Sequence, residues 1–220
     1  SHTDRWKISA PEQIITCSLM SLMQARQQED ECEQLMYALI LSGLAMQMIG
    51  NSRPASCAEH HVTHLWDMEV INGPLDALHG EKVSVAALLV LEEYKRIATA
   101  ITQGRCHAKP YENEDEELLK ETFGKKGLLE EITKENEPEL LKTISPQHLE
   151  ECLDGIAEII DELPNEQDMF HMLEKAGCAK TVYDIGLDEA AVLPSLRLAP
   201  YTRRRLSLLR ISKMLEIRGE

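Results

Sequence analysis

Between Asp30 and Ile49 the chain reads DECEQLMYALILSGLAMQMI. Apolar residues at Leu35, Met36, Leu39, Ile40, Leu41, Leu44, Met46, Met48 and Ile49 surround the axis of any helix built on this stretch. Asp30 and Glu31 supply the acidic charge that a helix N-terminus favours. The stretch therefore predicts a helix over about 30–49. A helix apolar on every side belongs in the interior, so this one is expected to be central and buried.

Helical spacing continues on both sides. Residues 11–28 begin with Pro11 in a first-turn position and carry apolar residues at 14, 15, 19, 22 and 23. After the break Gly50-Asn51-Ser52-Arg53-Pro54, a helix is expected from about Ala55 to Val70, then a turn at Asn72-Gly73-Pro74. A long helix from about Gly80 to Thr102 follows, marked by Val83, Val85, Ala86, Leu89, Val90 and Tyr94. Beyond a loop at 103–113, shorter helices are predicted at about 114–123, 126–134, 146–163 and 165–176. Ser145 before Pro146 makes a good cap with proline just inside the helix. A last helix is expected from Pro200 to the end. No alternating strand pattern, glycine-rich phosphate loop or internal repeat is found. The expected fold class is all-α: one multi-helix domain over 1–220, with lobes at 1–103 and 113–220.

Composition excludes several functions. Lys and Arg number 23 against 38 Asp and Glu, a net charge of −15. That balance argues against a general nucleic-acid binder, which needs a basic face for phosphates, and against attraction to anionic membranes. No apolar run approaches a membrane span of about 20 residues, and no secretory signal opens the chain. The six cysteines are dispersed, so free thiols in a reducing, cytoplasmic setting are expected. Charge is uneven: residues 111–163 are strongly acidic and residues 201–220 basic. The simpler reading lays the last helix near the acidic helices, both with solvated faces. The other makes Arg203, Arg204 and Arg205 a basic docking site.

The chemistry concentrates in GNSRPASCAEHHVTHLW, from Gly50 to Trp66. Three of the eight histidines, His60, His61 and His64, fall within five positions. On a helix His60 and His64 share a face and His61 points away. Fifteen residues after His64 comes His79, in Leu78-His79-Gly80-Glu81-Lys82-Val83 at the start of the long helix. Imidazoles from two helices could meet on Zn2+, Ni2+ or Fe2+. The same spacing also fits surface or core histidines satisfied by hydrogen bonds. His107, His148 and His171 stand in unrelated contexts and are expected to be structural or exposed.

At these residues the sequence resembles the sn-glycerol-1-phosphate dehydrogenases, of the superfamily of iron-containing alcohol dehydrogenases, glycerol dehydrogenase and dehydroquinate synthase. The likeness rests on GNSRPAS, AEHHVTHLWDM and LHGEKV, and later on CAKTVYDIGL (Cys178–Leu187) and APYTRRRLSLLR (Ala199–Arg210). It implies the C-terminal helical domain of the dehydroquinate-synthase-like fold, with the N-terminal α/β nucleotide-binding domain absent from this chain. It also implies a catalytic divalent metal on His60 and His79, and His64 against the substrate as a catalytic and binding residue. A ligand at His61, one residue on, is the alternative register. Arg53, ahead of the histidines, is a candidate for an anionic substrate group, because guanidinium matches phosphate geometry. A surface salt bridge is its plainer role.

The activity so implied is hydride exchange with NAD(P) between dihydroxyacetone phosphate and sn-glycerol 1-phosphate, with the metal as Lewis acid. The family's third metal ligand, an Asp in a Gly-Asp pair, has no counterpart here, and Asp4 lies in an unrelated context. The expectation is a segment of a longer enzyme, inactive alone and exposing apolar surface that a homo-oligomer would cover. Related alternatives are a glycerol or alcohol dehydrogenase and a dehydroquinate-synthase-like enzyme. A non-catalytic helical interaction module is the alternative from another class.

Overall fold

The computed structural model describes residues 32–50 and 56–219. The helix expected over 11–28 and Asp4 therefore lie outside the described residues, as do Asn51, Ser52 and Arg53. Two compact units emerge. One holds the described residues up to Cys57 together with Gln167–Cys178; the other holds Ala58–Glu166 and the chain from Ala179 onward.

The first unit carries helix α1 (Cys32–Ile49). The helix forms as its composition dictates, but its expected burial is overturned. Met36, Tyr37, Leu39, Ile40, Leu44 and Met48 are all exposed, Met48 at 73%. An apolar surround says that a helix needs cover on every side; it does not say that the same chain supplies it.

The second unit is built on α2 (Ala58–Asp67) and α3 (His79–Thr102). Their start and end points follow local chemistry. Glu59 and Glu81 place negative charge in the first turns of α2 and α3. The Glu81 carboxylate also accepts the Leu78 amide at 2.8 Å, which fixes His79 as the first residue of α3. Gly104, with φ +65°, adopts the left-handed turn that lets the chain leave α3.

At about 36 Å, α3 is long enough to serve two cores. Its first half, with Val85, Ala86 and Val90, packs with Ala58, Val62, Leu65 and Trp66 of α2. Leu119 and Phe123 of α4 (Glu116–Gly124), Ile132 of α5 (Leu129–Glu135) and Leu198 of α8 (Val192–Leu198) join that core. Its second half, with Ile97, Ala100 and Ile101, meets Leu149, Leu153 and Ala157 of α6 (Pro146–Asp161). Helix α7 (Glu166–Lys175) precedes α8 in the chain. The Trp66 indole, buried in the first core, donates to Ser195 Oγ at 2.7 Å, which supplies the partner a buried N–H requires. Ser145 caps α6 as expected, its hydroxyl accepting from the His148 amide.

Two expectations fail near the C-terminus. Instead of one helix from Pro200, the chain makes a 3-10 turn at Ala199–Tyr201, a short helix α9 (Leu208–Ile211) and a second turn at Ser212–Met214. Buried Arg210 explains the break. Its Nη1 donates to the carbonyls of Pro200 (2.9 Å) and Arg203 (3.3 Å), acceptors that a continuous helix would spend on its own amides. The chain then forms β2 (Leu215–Ile217), paired antiparallel with β1 (Cys106–Ala108) in a two-stranded sheet. Strands of three residues are too short to show alternation. The fold class stands: the described residues are helical apart from this ribbon, turns and loops.

The basic end does lie against the acidic stretch, and the contacts of Lys213 with Asp115 and of Arg210 with Glu139 are largely buried rather than solvated. Asp115 Oδ1 accepts from Arg197 at 3.0 and 2.5 Å, and Oδ2 accepts from Tyr201 (3.1 Å) and Lys213. Glu139 grips Arg210, and Arg204 reaches the Pro138 carbonyl. Among the described residues no helix is long and apolar enough to cross a membrane.

Candidate metal centre

Helix α2 places His60 and His64 one turn apart, and the start of α3 brings His79 to them. The rings of His60 and His79 stand 5.7 Å apart between centroids, tilted by 53°; those of His64 and His79 stand 6.3 Å apart, tilted by 42°. The rods that carry them share the first core, so the approach rests on packing rather than on a loop.

Carboxylates engage two of these rings. Glu59 Oε1 lies 2.8 Å from His60 Nδ1, and Asp67 Oδ2 lies 3.5 Å from His79 Nδ1. Lys82 holds the other Asp67 oxygen. His60 and His79 thus each keep Nε2 as the nitrogen still open to a further partner. Burial lowers the pKa of His64, helped by the charges of Arg203 and His60 and opposed by Asp67. At neutral pH His64 is therefore a neutral imidazole that can donate or accept a proton.

His61 has a different fate. It is 1% exposed, neither ring nitrogen has a hydrogen-bond partner among the described residues, and burial pushes its pKa down to about 4. The Thr202 hydroxyl donates to its carbonyl at 3.3 Å. The alternative register, with His61 in place of His60, is not what this geometry offers: His61 is a core residue on the far face of α2.

As a cation site the donor set is partial. Two imidazoles from separate helices, each with Nδ1 engaged, suit a divalent ion. Among the described residues, however, no group of three His, Cys, Asp or Glu side chains could hold one. His107, His148 and His171 pair with Glu150, Glu151 and Glu174 at 3.1–3.7 Å on the surface, as their contexts led one to expect. An open groove of about 660 Å3, lined in part by Ile71, Asn72, Leu75, Thr122, Lys125 and Pro194, contains none of the clustered histidines. Asp67 was not singled out in the sequence. Its position, three residues after His64 and seven after His60, places it on their face of the helix, and that spacing was the available signal.

No family model matches the chain, and no solved structure does. Curated proteins do. The chain is 30% identical over 164 residues to a protein of Geobacillus thermodenitrificans named glycerol-1-phosphate dehydrogenase, NAD(P)+; the match covers 74% of this chain and 33% of that one. A protein of the same name from Halalkalibacterium halodurans is 33% identical over 175 residues, covering 78% of this chain and 35% of that one. One from Pyrococcus horikoshii is 41% identical over 63 residues, 29% of this chain and 17% of that one. The chain spans about a third of the length of the first two relatives. Over most of its own length, then, this helical chain is a relative of the glycerol-1-phosphate dehydrogenases.

Proposed function

We propose that this chain is the C-terminal, metal- and substrate-binding part of an oxidoreductase that interconverts dihydroxyacetone phosphate and sn-glycerol 1-phosphate with NAD(P). The observation that carries the reading is the approach of His60 and His79 from two packed helices, with His64 beside them. The names borne by the relatives agree with it.

In this reading His60 and His79 hold a divalent ion, Zn2+, Ni2+ or Fe2+, with solvent in its remaining positions. When bound, the ion supplies Lewis acidity toward an oxygen on the carbon that exchanges hydride. The chain's own residues bind and orient. His64, kept neutral by burial, hydrogen-bonds the substrate and can pass a proton to or from its oxygen. Arg53, ahead of α2, meets the phosphate. The nucleotide sits on a domain beyond this chain, so this chain alone carries out no turnover. The exposed apolar face of α1 suits association with that domain or with a second copy.

Calorimetric titration of the chain with Zn2+ and with Ni2+ tests the reading. One weak site is expected, lost in His60→Ala and in His79→Ala. Binding that survives both substitutions, or no binding at all, overturns it. Sub-micromolar affinity would contradict a site of two histidines and solvent. Phosphate recognition is tested by adding dihydroxyacetone phosphate or dihydroxyacetone to the loaded chain: the phosphorylated compound is expected to bind the more tightly.

A further inference from the structure

We infer that Glu59 and Asp67 are positioning carboxylates: they hold His60 and His79 as Nδ1–H tautomers, so that the two facing rings each offer an Nε2 lone pair to one cation. The cation in this statement rests on the metal reading above; the tautomers do not.

Three observations support the inference. The first is selectivity of contact. Each carboxylate meets the same ring nitrogen of its histidine, Nδ1: Glu59 in a hydrogen bond of 2.8 Å, Asp67 in a longer ion-pair contact of 3.5 Å. An ionised carboxylate only accepts, so the ring nitrogen facing it is the one that carries hydrogen. In a neutral imidazole the other nitrogen is then the acceptor, and hence the donor to a metal. The second is the anchoring of Asp67. Its Oδ1 pairs with Lys82, whose side chain is mostly buried, which leaves Oδ2 for His79. Asp67 ends α2, while His79 and Lys82 share the first turn of α3, so a single carboxylate links both helices at the site. The third is the ring geometry itself. Centroids 5.7 Å apart with tilted planes suit two imidazoles that share an ion about 2.0–2.1 Å from each nitrogen. Carboxylate–histidine–metal arrangements of this kind raise ligand basicity and fix ring orientation.

The test reads the tautomers directly. Long-range 15N–1H correlation spectra of the metal-free chain at neutral pH are expected to show His60 and His79 as Nδ1–H. In Glu59→Ala the His60 ring, and in Asp67→Ala the His79 ring, should move toward the Nε2–H form, while the untouched partner keeps its own. Circular dichroism of each variant checks that the fold persists, and Lys82→Met, which frees Asp67 Oδ1, should weaken the His79 preference without abolishing it. Zn2+ affinity should fall by about 10–100-fold in Asp67→Ala. An Nε2–H ring at His79 in the unsubstituted chain, or a tautomer indifferent to Asp67, overturns the inference even if metal binds. Nδ1–H rings in a chain that takes up no metal support the inference and overturn the metal reading instead.

Discussion

The guanidinium of Arg210 and the carboxylate of Glu139 form a two-pronged ion pair inside the protein, with Nη2 donating to Oε1 and to Oε2 at 2.9 Å each. The Arg210 side chain is 1% exposed and that of Glu139 14%. Removing one partner of such a pair strands a buried charge, which costs about 3–5 kcal/mol. Glu139→Ala is therefore expected to destabilise the chain on that scale in urea unfolding. Because Arg210 also binds the carbonyls of Pro200 and Arg203, loss of its partner should loosen the turn around 200–207 first, seen as faster amide exchange there. A variant as stable as the parent would show that Arg210 finds equivalent partners elsewhere.

His61 invites the opposite substitution. A buried imidazole whose nitrogens bond to nothing among the described residues spends desolvation energy without return. His61→Leu is expected to leave stability unchanged or raise it by about 1–2 kcal/mol, the cost of a buried polar group left unsatisfied. Metal affinity should be untouched. Loss of metal binding in His61→Leu, with the fold intact, would return the ligand to the neighbouring register.

Much of this was legible in the residues, for reasons that can be named. Four-residue spacing put His60 and His64 on one face, and the Gly80-Glu81 start of α3 put His79 at a helix end. Both depend only on local geometry. The cap at Ser145 was legible for the same reason. What failed was non-local. The break after Pro200 depends on Arg210 capturing carbonyls and on Glu139, 71 positions away. The strand Leu215–Ile217 exists because Cys106–Ala108 lies beside it, and neither segment is long enough to declare itself. The exposure of α1 depends on which surfaces meet it, and periodicity is silent about that.

Arg203 and His64 are coupled through charge, although they lie far apart in sequence. Burial is the larger cause of the lowered His64 pKa, and the Arg203 guanidinium adds to it. Arg203→Gln should raise the His64 pKa part of the way toward its ordinary value of 6.5 while burial holds it below. An NMR titration of the ring protons of the metal-free chain measures this. An unmoved midpoint would place the guanidinium too far from His64 to act on it.

Asp115 sets an acid limit on the fold. Burial alone would raise its pKa, but Lys213 and Arg197 outweigh burial and hold it below its ordinary 3.8. For Lys213 burial wins and lowers its pKa despite Asp115. The Asp115 direction governs here, because that carboxylate is held by Lys213, Arg197 and Tyr201 together. A carboxyl whose pKa falls on folding is bound to fewer protons in the folded than in the unfolded state. Its contribution is therefore complete above about pH 3.8 and disappears as pH drops through the lower, folded value. Asp115→Asn should lower stability at neutral pH and flatten the acid limb of the stability–pH curve below pH 4, measured by urea unfolding at stepped pH. If both proteins lose stability in parallel on acidification, the acid limit belongs to other carboxylates and the Asp115 cluster is held by its hydrogen bonds alone.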